Sequence, residues 1–208
     1  MEARRFGEVA SGRRAMACAR ETGSEWAMAD TAPLVVRYAE LPVAAHVLSA
    51  MEAILFEASG HTFASAVERE EFRERWLARY LAEGSDVVLL VESGDHTLAG
   101  YLVGALADPA SQPRFADLGY LSSEFRDLCR RYPAHLHVNV APAFRGCGAG
   151  AALVAAFAAH ARDACAAGMH VVTRANARNV RFYVRCGFAE AGKCMWNARE
   201  LVFLAQRL

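Results

Sequence analysis

The stretch Leu136-His137-Val138-Asn139-Val140-Ala141-Pro142-Ala143-Phe144-Arg145-Gly146-Cys147-Gly148-Ala149-Gly150 decides how this chain is read. It reads as an apolar strand, a short loop marked by proline, and an Arg-Gly-x-Gly-x-Gly run that opens a helix. Glycines at 146, 148 and 150 remove the Cβ atoms that would keep a ligand off the backbone. The first turn of the helix offers amides with no internal partner, at the positive end of the helix dipole. Such a nest of N–H groups suits a pyrophosphate, and Arg145 sets a fixed positive charge beside it. Eleven of the 19 residues from Ala149 to Ala167 are alanine, so this helix can lie close to a sheet.

A second segment is Asn176-Ala177-Arg178-Asn179-Val180-Arg181-Phe182-Tyr183-Val184-Arg185-Cys186-Gly187-Phe188. The Asn176 side chain can cap a helix by accepting from first-turn amides. Gly187 suits the left-handed position just past the helix end. Together the two segments resemble the acetyl-coenzyme A signature and the closing motif of the GNAT acetyltransferase superfamily. They stand in the family's order, separated by one helix and one strand. The resemblance implies an α/β (α+β) fold with a mixed, twisted, centrally splayed sheet flanked by helices. It implies that acetyl-CoA is held by Val138, Asn139, Val140, Arg145, Gly146, Cys147, Gly148, Ala149, Gly150 and Ala151, with Asn176 and Tyr183 as further contacts. The run Tyr132 to Val140, with Gly168-Met169-His170, is similar to a narrower group, the acetyltransferase-like domains of O-GlcNAc hydrolases and their free-standing bacterial relatives.

A rival reading exists, because Gly146 to Ala151 also satisfies G-x-G-x-x-A, the dinucleotide fingerprint. Three observations oppose a nicotinamide or flavin oxidoreductase. Ala141 to Arg145 intervene between strand and glycines, where a Rossmann glycine follows at once. The strand Met169 to Thr173 ends in Arg174, with no acid for a ribose. The 58 residues after Gly150 are too few for the remaining strands of a doubly wound sheet. No Lys-Ser/Thr follows the glycines, which excludes a Walker loop.

Acetyl transfer to an amine needs a neutral amine, a stabilised oxyanion and an acceptable thiolate leaving group. The resemblance implies that the Val140 amide faces the thioester carbonyl and that backbone groups of Val138 to Val140 pair with the pantetheine arm. It gives Tyr183 the leaving thiolate. A thiol titrates near ~8.5 and a phenol near ~10, so full proton transfer from tyrosine is uphill by roughly 2 kcal/mol. Hydrogen bonding to the nascent thiolate is therefore the expected contribution. Histone-modifying members carry a Glu on the phosphate-loop strand, at the position of Ala134 here. His135, His137 and Asn139 alternate on one face of that strand. His137 or His135 can take a proton through water at neutral pH, and His137 is the candidate base. Without a working base the chain would be a catalytically weak acetyl-CoA-binding module, which is the alternative to an acyltransferase enzyme.

With 208 residues and 54% hydrophobic composition, the chain is sized for one well-buried domain. Twenty-three basic and 23 acidic residues cancel, so no global field draws nucleic acid or an anionic membrane. No run of eighteen apolar residues is present to span a bilayer. Cys18, Cys129, Cys147, Cys165, Cys186 and Cys194 form no C-x-x-C pair. That usage fits a cytoplasmic protein without a disulfide frame or metal site. The expected partners are acetyl-CoA and an unidentified amine acceptor, and the chain is expected to be a monomer or homodimer.

Residues 1–32 lack periodicity and are expected to be a loosely ordered extension, with Met28 an alternative start. Residues 33–208 form the single domain. Leu34 to Tyr38 reads as a strand, and Pro42 leads a helix with Val47, Leu48, Met51, Ile54 and Leu55 on one face. A second helix, Ser65 to Glu83, aligns Phe72, Trp76, Leu77, Tyr80 and Leu81. Asp86–Glu92 and Thr97–Ala107 are strands around Ser93-Gly94-Asp95-His96, a hairpin signal. A loop from Asp108 and a short helix from Leu121 to Arg131 form an insert where an acceptor pocket is expected. A final hairpin has arms Phe188–Trp196 and Glu200–Gln206.

Overall fold

The computed structural model describes residues 34–40, 45–81, 87–92 and 97–208. The extension, Pro42 and the turn at Ser93 to His96 lie outside the described residues. Strands β1 (Leu34–Arg37), β2 (Val87–Glu92), β3 (Leu98–Ala105) and β4 (Ala134–Val140) pair antiparallel in sequence order. Strands β5 (Gly168–Arg174), β6 (Ala189–Trp196) and β7 (Arg199–Arg207) form a second antiparallel group. The seven-stranded order is β1-β2-β3-β4-β5-β7-β6. The two groups meet where β4 runs parallel to β5, and only Ala134↔Met169 and His135↔His170 are in register. Past those pairs the strands part, giving the central splay that the sequence resemblance implies.

The helices among the described residues are α1 (Ala45–Ser59), α2 (Ala66–Arg73), α3 (Arg79–Leu81), α4 (Gly119–Ser122), α5 (Arg126–Arg131), α6 (Ala149–Asp163) and α7 (Asn179–Arg185). A π-turn, Glu74–Ala78, joins α2 to α3. α2 starts on a capping box: Ser65 Oγ accepts from the Glu68 amide at 3.1 Å, and Glu68 Oε2 accepts from the Ala64 amide at 2.7 Å.

The sheet is covered on both faces. One core holds Leu136, Leu153, Phe157, Met169 and Tyr183. The other holds Met51, Leu77, Tyr80, Tyr101, Phe115, Phe125 and Phe203. The close seat of α6 needs more than its own alanines. A Cβ on Gly104 of β3 would stand 2.5 Å from the Phe157 ring and 2.6 Å from the His135 carbonyl oxygen, so the glycine lets that ring lie against the strand.

Two elements differ from the sequence expectation. α6 stops at Asp163 instead of Ala167, through amide bonds from Cys165 to the Arg162 carbonyl (2.8 Å) and from Ala166 to the Ala161 carbonyl (2.9 Å). This is a Schellman closure with Cys165 at φ 58°, where glycine is usual, so no sequence signal marks it. The insert helix breaks into α4 and α5, because the Ser122 and Ser123 hydroxyls bond back to the Gly119 carbonyl and the Phe125 amide turns to the Tyr120 carbonyl.

Candidate active site

The parted edge of β4 is the starting point. In an antiparallel ladder the N–H and C=O of one residue point to the same side, and successive residues alternate. The Ala141 amide bonds the Ala99 carbonyl at 2.9 Å, on the β3 side. Val140 and Val138 therefore turn their backbone groups away from β3, into the gap. The Val140 carbonyl is already engaged there by Arg145 Nε at 3.1 Å. That contact modifies the expectation for Arg145, whose remaining guanidinium nitrogens are the ones left for an anion.

The loop after β4 makes a 3-10 turn, Pro142–Phe144, before reaching the glycines. Gly146 and Gly148 have φ of +82° and +85°, a region costly to residues with a Cβ. A Cβ on Gly146 would meet nothing within 4 Å, so its backbone faces open space. Gly148 caps α6, and first-turn amides of this 15-residue helix point back at the loop. Gly150 serves a different purpose from the expected one. It is buried, and its Cβ would press on the Phe182 ring at 3.1 Å, so it seats α6 against α7 rather than clearing a ligand. Cys147 and Ala151 lie in the same turn, with Ala149 buried beneath. A strand edge that has parted from its neighbour, next to a nest of amides, fits the pantetheine and pyrophosphate of acetyl-CoA.

Tyr183 is buried on α7 with its hydroxyl near the Val138 amide. Burial pushes its phenol far above the ordinary range; Cys186 adds to the shift and the Val138 amide opposes it. The group is thus a proton donor throughout the working range. Its ring is held by Phe182 at 5.1 Å and Phe188 at 5.5 Å. The second contact comes from the Schellman motif that ends α7. The Phe188 amide bonds the Tyr183 carbonyl (3.1 Å), the Gly187 amide bonds the Val184 carbonyl (3.0 Å), and Gly187 has φ +91°. Asn176 does not cap this helix. Amide bonds from Ala177 to Arg174 and from Val180 to Ala177 tighten the chain first, Arg178 is the N-cap residue, and Asn176 is exposed on the preceding turn. Asn179 instead accepts from Thr173 Oγ1 at 3.1 Å.

On the opposite face, β4 presents His135, His137 and Asn139. Asn139 Nδ2 donates to the buried Tyr101 hydroxyl at 3.1 Å. His135 lies 3.1 Å from the Tyr80 hydroxyl through Nε2, while its buried Nδ1 has no partner among the described residues. His170 of β5 meets the Tyr132 carbonyl through Nδ1 and stacks on Phe203 at 4.4 Å. His137 touches Trp76 edge-on at 4.8 Å. His135 and His170 are buried and His137 is half-buried, and desolvation is the main reason each pKa falls. His135 lies well below 6.5, His137 falls to about 3 and His170 to about 4. A small void of about 20 Å³ lies among these three imidazoles, roofed by Leu118, Tyr120 and Leu121 of the insert. That is room for one water.

One feature lies outside the sequence reading. Across from the insert's Pro113, Arg114 and Asp117, α2 and the π-turn bring Glu70, Glu71 and Glu74 to an open groove of about 720 Å³. It is hidden in the sequence, because its lining is drawn from α2, the π-turn and the insert.

Comparison with known proteins fixes the class. The sequence model of the acetyltransferase (GNAT) family matches residues 50–188. Comparison with curated proteins finds no match. Among solved structures, the crystal structure of SsHAT is 20% identical, with 85% of this chain and 98% of that one covered and a TM-score of 0.62. A ribosomal-protein-alanine N-acetyltransferase from Brucella melitensis is 23% identical over 84% and 99% of the two chains, at a TM-score of 0.57. The ribosomal-protein-S18-alanine N-acetyltransferase from Escherichia coli is 14% identical over 85% and 94%, at 0.55. These likenesses concern the fold. The chain belongs to the GNAT acetyltransferase family: it is an acyltransferase, and acetyl-CoA is its acetyl donor. The narrower likeness to the domains of O-GlcNAc hydrolases rests on the sequence motifs alone.

Proposed function

We propose that the enzyme acetylates an amine, on a small molecule or an exposed protein amino group, by direct attack within a ternary complex. The observation behind this reading is the juxtaposition at Val138. On one face of β4 the Tyr183 hydroxyl meets its amide, and on the other His137 lines the gap. Acetyl-CoA supplies the thioester. Val138 and Val140 offer backbone groups to its arm, and the Val140 amide stabilises the developing oxyanion. Arg145, Gly146, Cys147, Gly148, Ala149, Gly150 and Ala151 form the turn on which the pyrophosphate rests, with Asn139 and Asn176 as flanking polar groups. Tyr183 donates a hydrogen bond to the leaving sulfur.

His137 accepts the proton from the acceptor nitrogen. An imidazole with a pKa of about 3 cannot strip an ammonium ion, so the amine arrives neutral. His137 acts once C–N bond formation has made the N–H acidic. Amines whose own pKa lies near neutrality, such as α-amino groups near ~8, suit such a site better than lysine near ~10.4. A cytoplasmic setting and a monomeric or homodimeric state complete the proposal.

Thiol release measured over a panel of amines and peptides tests the acceptor class. Initial-rate lines that intersect support the ternary complex, whereas parallel lines with a trapped acetyl-enzyme would overturn it. Arg145→Glu should weaken CoA binding at least tenfold, since it puts a repulsive charge at the pyrophosphate. Equal affinities by calorimetry would remove the loop from the binding site.

A further inference from the structure

We propose that Trp76 is a positioning residue of the acetyl-transfer site, holding the His137 ring in one orientation over β4. The inference rests on the reading of His137 as proton acceptor. It begins with the backbone. The Arg79 amide bonds back to the Glu74 carbonyl, five residues earlier, so the helical run from Ala66 to Leu81 contains one π-turn. Such turns are rare and concentrate at functional sites. This one presents Trp76 at 4.8 Å and 77° to His137, with Tyr80 at 5.7 Å and 72°. Among the described residues no hydrogen bond fixes either His137 nitrogen, so ring contacts set its orientation.

The turn is also tied to the insert. Asp117 receives Arg75 Nε at 2.7 Å and both terminal nitrogens of Arg79, at 2.8 and 3.1 Å. The residue after Asp117 is Leu118, which roofs the void with Tyr120 and Leu121. Asp117 therefore couples the lid over the void to the turn that carries Trp76.

Trp76 shares the surroundings of His137 with groups from several other elements. His135 lies on the same strand and His170 on β5. Tyr80 and Arg79 come from α3, Arg79 being engaged by Asp117, and Tyr120 comes from the insert. β3 sets Val103 opposite it and the Tyr101 hydroxyl beside Asn139, and α1 adds the apolar Met51, Ile54 and Leu55 to this core. No carboxylate lines the void, and burial, His170 and Arg79 all disfavour protonation.

The test uses the whole chain as wild type, Trp76→Phe and Trp76→Ala, with ring-labelled histidine followed by NMR against pH. The pH profile of kcat/KM is taken from thiol release. In Trp76→Ala more water reaches the half-buried ring, and the His137 titration should move up by about one to three pH units. The acid limb of kcat/KM should move with it while KM for acetyl-CoA stays put, and Trp76→Phe should restore both. Should the alanine variant not fold, Trp76→Leu serves, since it keeps an apolar side chain of greater volume. A folded variant in which His137 titrates as in wild type overturns the proposal. A ring titration that moves while the rate profile stays still supports the positioning of His137 and removes that residue from proton transfer, so the two readings fail separately.

Discussion

Tyr183 meets two demands with one ring. Its edge packs between Phe182 and Phe188, and its hydroxyl reaches the gap at Val138. Tyr183→Phe keeps the packing and deletes only the donor. Stability and CoA affinity should hold, while the rate constant falls by about 10²- to 10⁴-fold, because the hydrogen bond to sulfur matters mainly in the transition state. Unchanged turnover with the same acceptor would make the tyrosine a packing residue and nothing more. The desolvated imidazoles make a second prediction, for stability. His137 and His170 have folded-state pKa values of about 3 and about 4, below the unfolded value near ~6.5. Their neutral forms stabilise the fold above pH ~6.5. Below it the unfolded chain binds protons that the native state refuses, so stability drains away as pH falls toward those folded values. Thermal melts at pH 7.5, 6 and 5 should show a steady drop before most carboxylates titrate, and a flat series would mean that the rings are hydrated.

The elements show where sequence and fold diverge. Strands β4 and β5, the glycine turn and α7 are legible because local chemistry and tertiary need agree there: alternation for the strands, left-handed glycines for the turns. The end of α6 is not legible, since Cys165 occupies a left-handed position by tertiary demand and without a glycine to announce it. The π-turn is equally silent, as Phe72, Trp76 and Tyr80 are spaced as in any amphipathic helix. Gly150 was legible as necessary but for a different reason, the Phe182 ring. The two Schellman closures give a paired test. Gly187→Ala puts a Cβ at φ +91° and 3.0 Å from Gln206 Nε2, and should destabilise by about 1–2 kcal/mol. Cys165→Gly relieves the same conformation at φ 58°, offset in part by glycine's greater unfolded freedom, and should raise the melting temperature slightly. Denaturant titration of both proteins checks the opposite signs. Equal signs would mean that side-chain contacts rather than backbone conformation govern these ends.

At the scale of the whole molecule, family and donor were legible from two short motifs, whereas the environment of the histidines was not. Burial is a sum over α1, α3, the insert and β7, and of these only the insert lies near His135 and His137 in sequence. The groove between α2 and the insert is hidden for the same reason. The join between the two strand groups leads further. A sheet normally transmits load through a full ladder, but here two residue pairs, Ala134↔Met169 and His135↔His170, make the whole lateral connection. The two strand groups thus share only a short edge, with α6 packed on one face of the sheet beside it. A ligand that adds backbone-like hydrogen bonds along Val138 and Val140 would act as the missing rungs. Amide deuterium uptake should register this directly. Val140 should exchange quickly in the free enzyme and become protected with CoA, while Tyr101 and Leu102 on β3 change little. The enzyme's own backbone would then count the molecules that carry donor, one filled seam at a time.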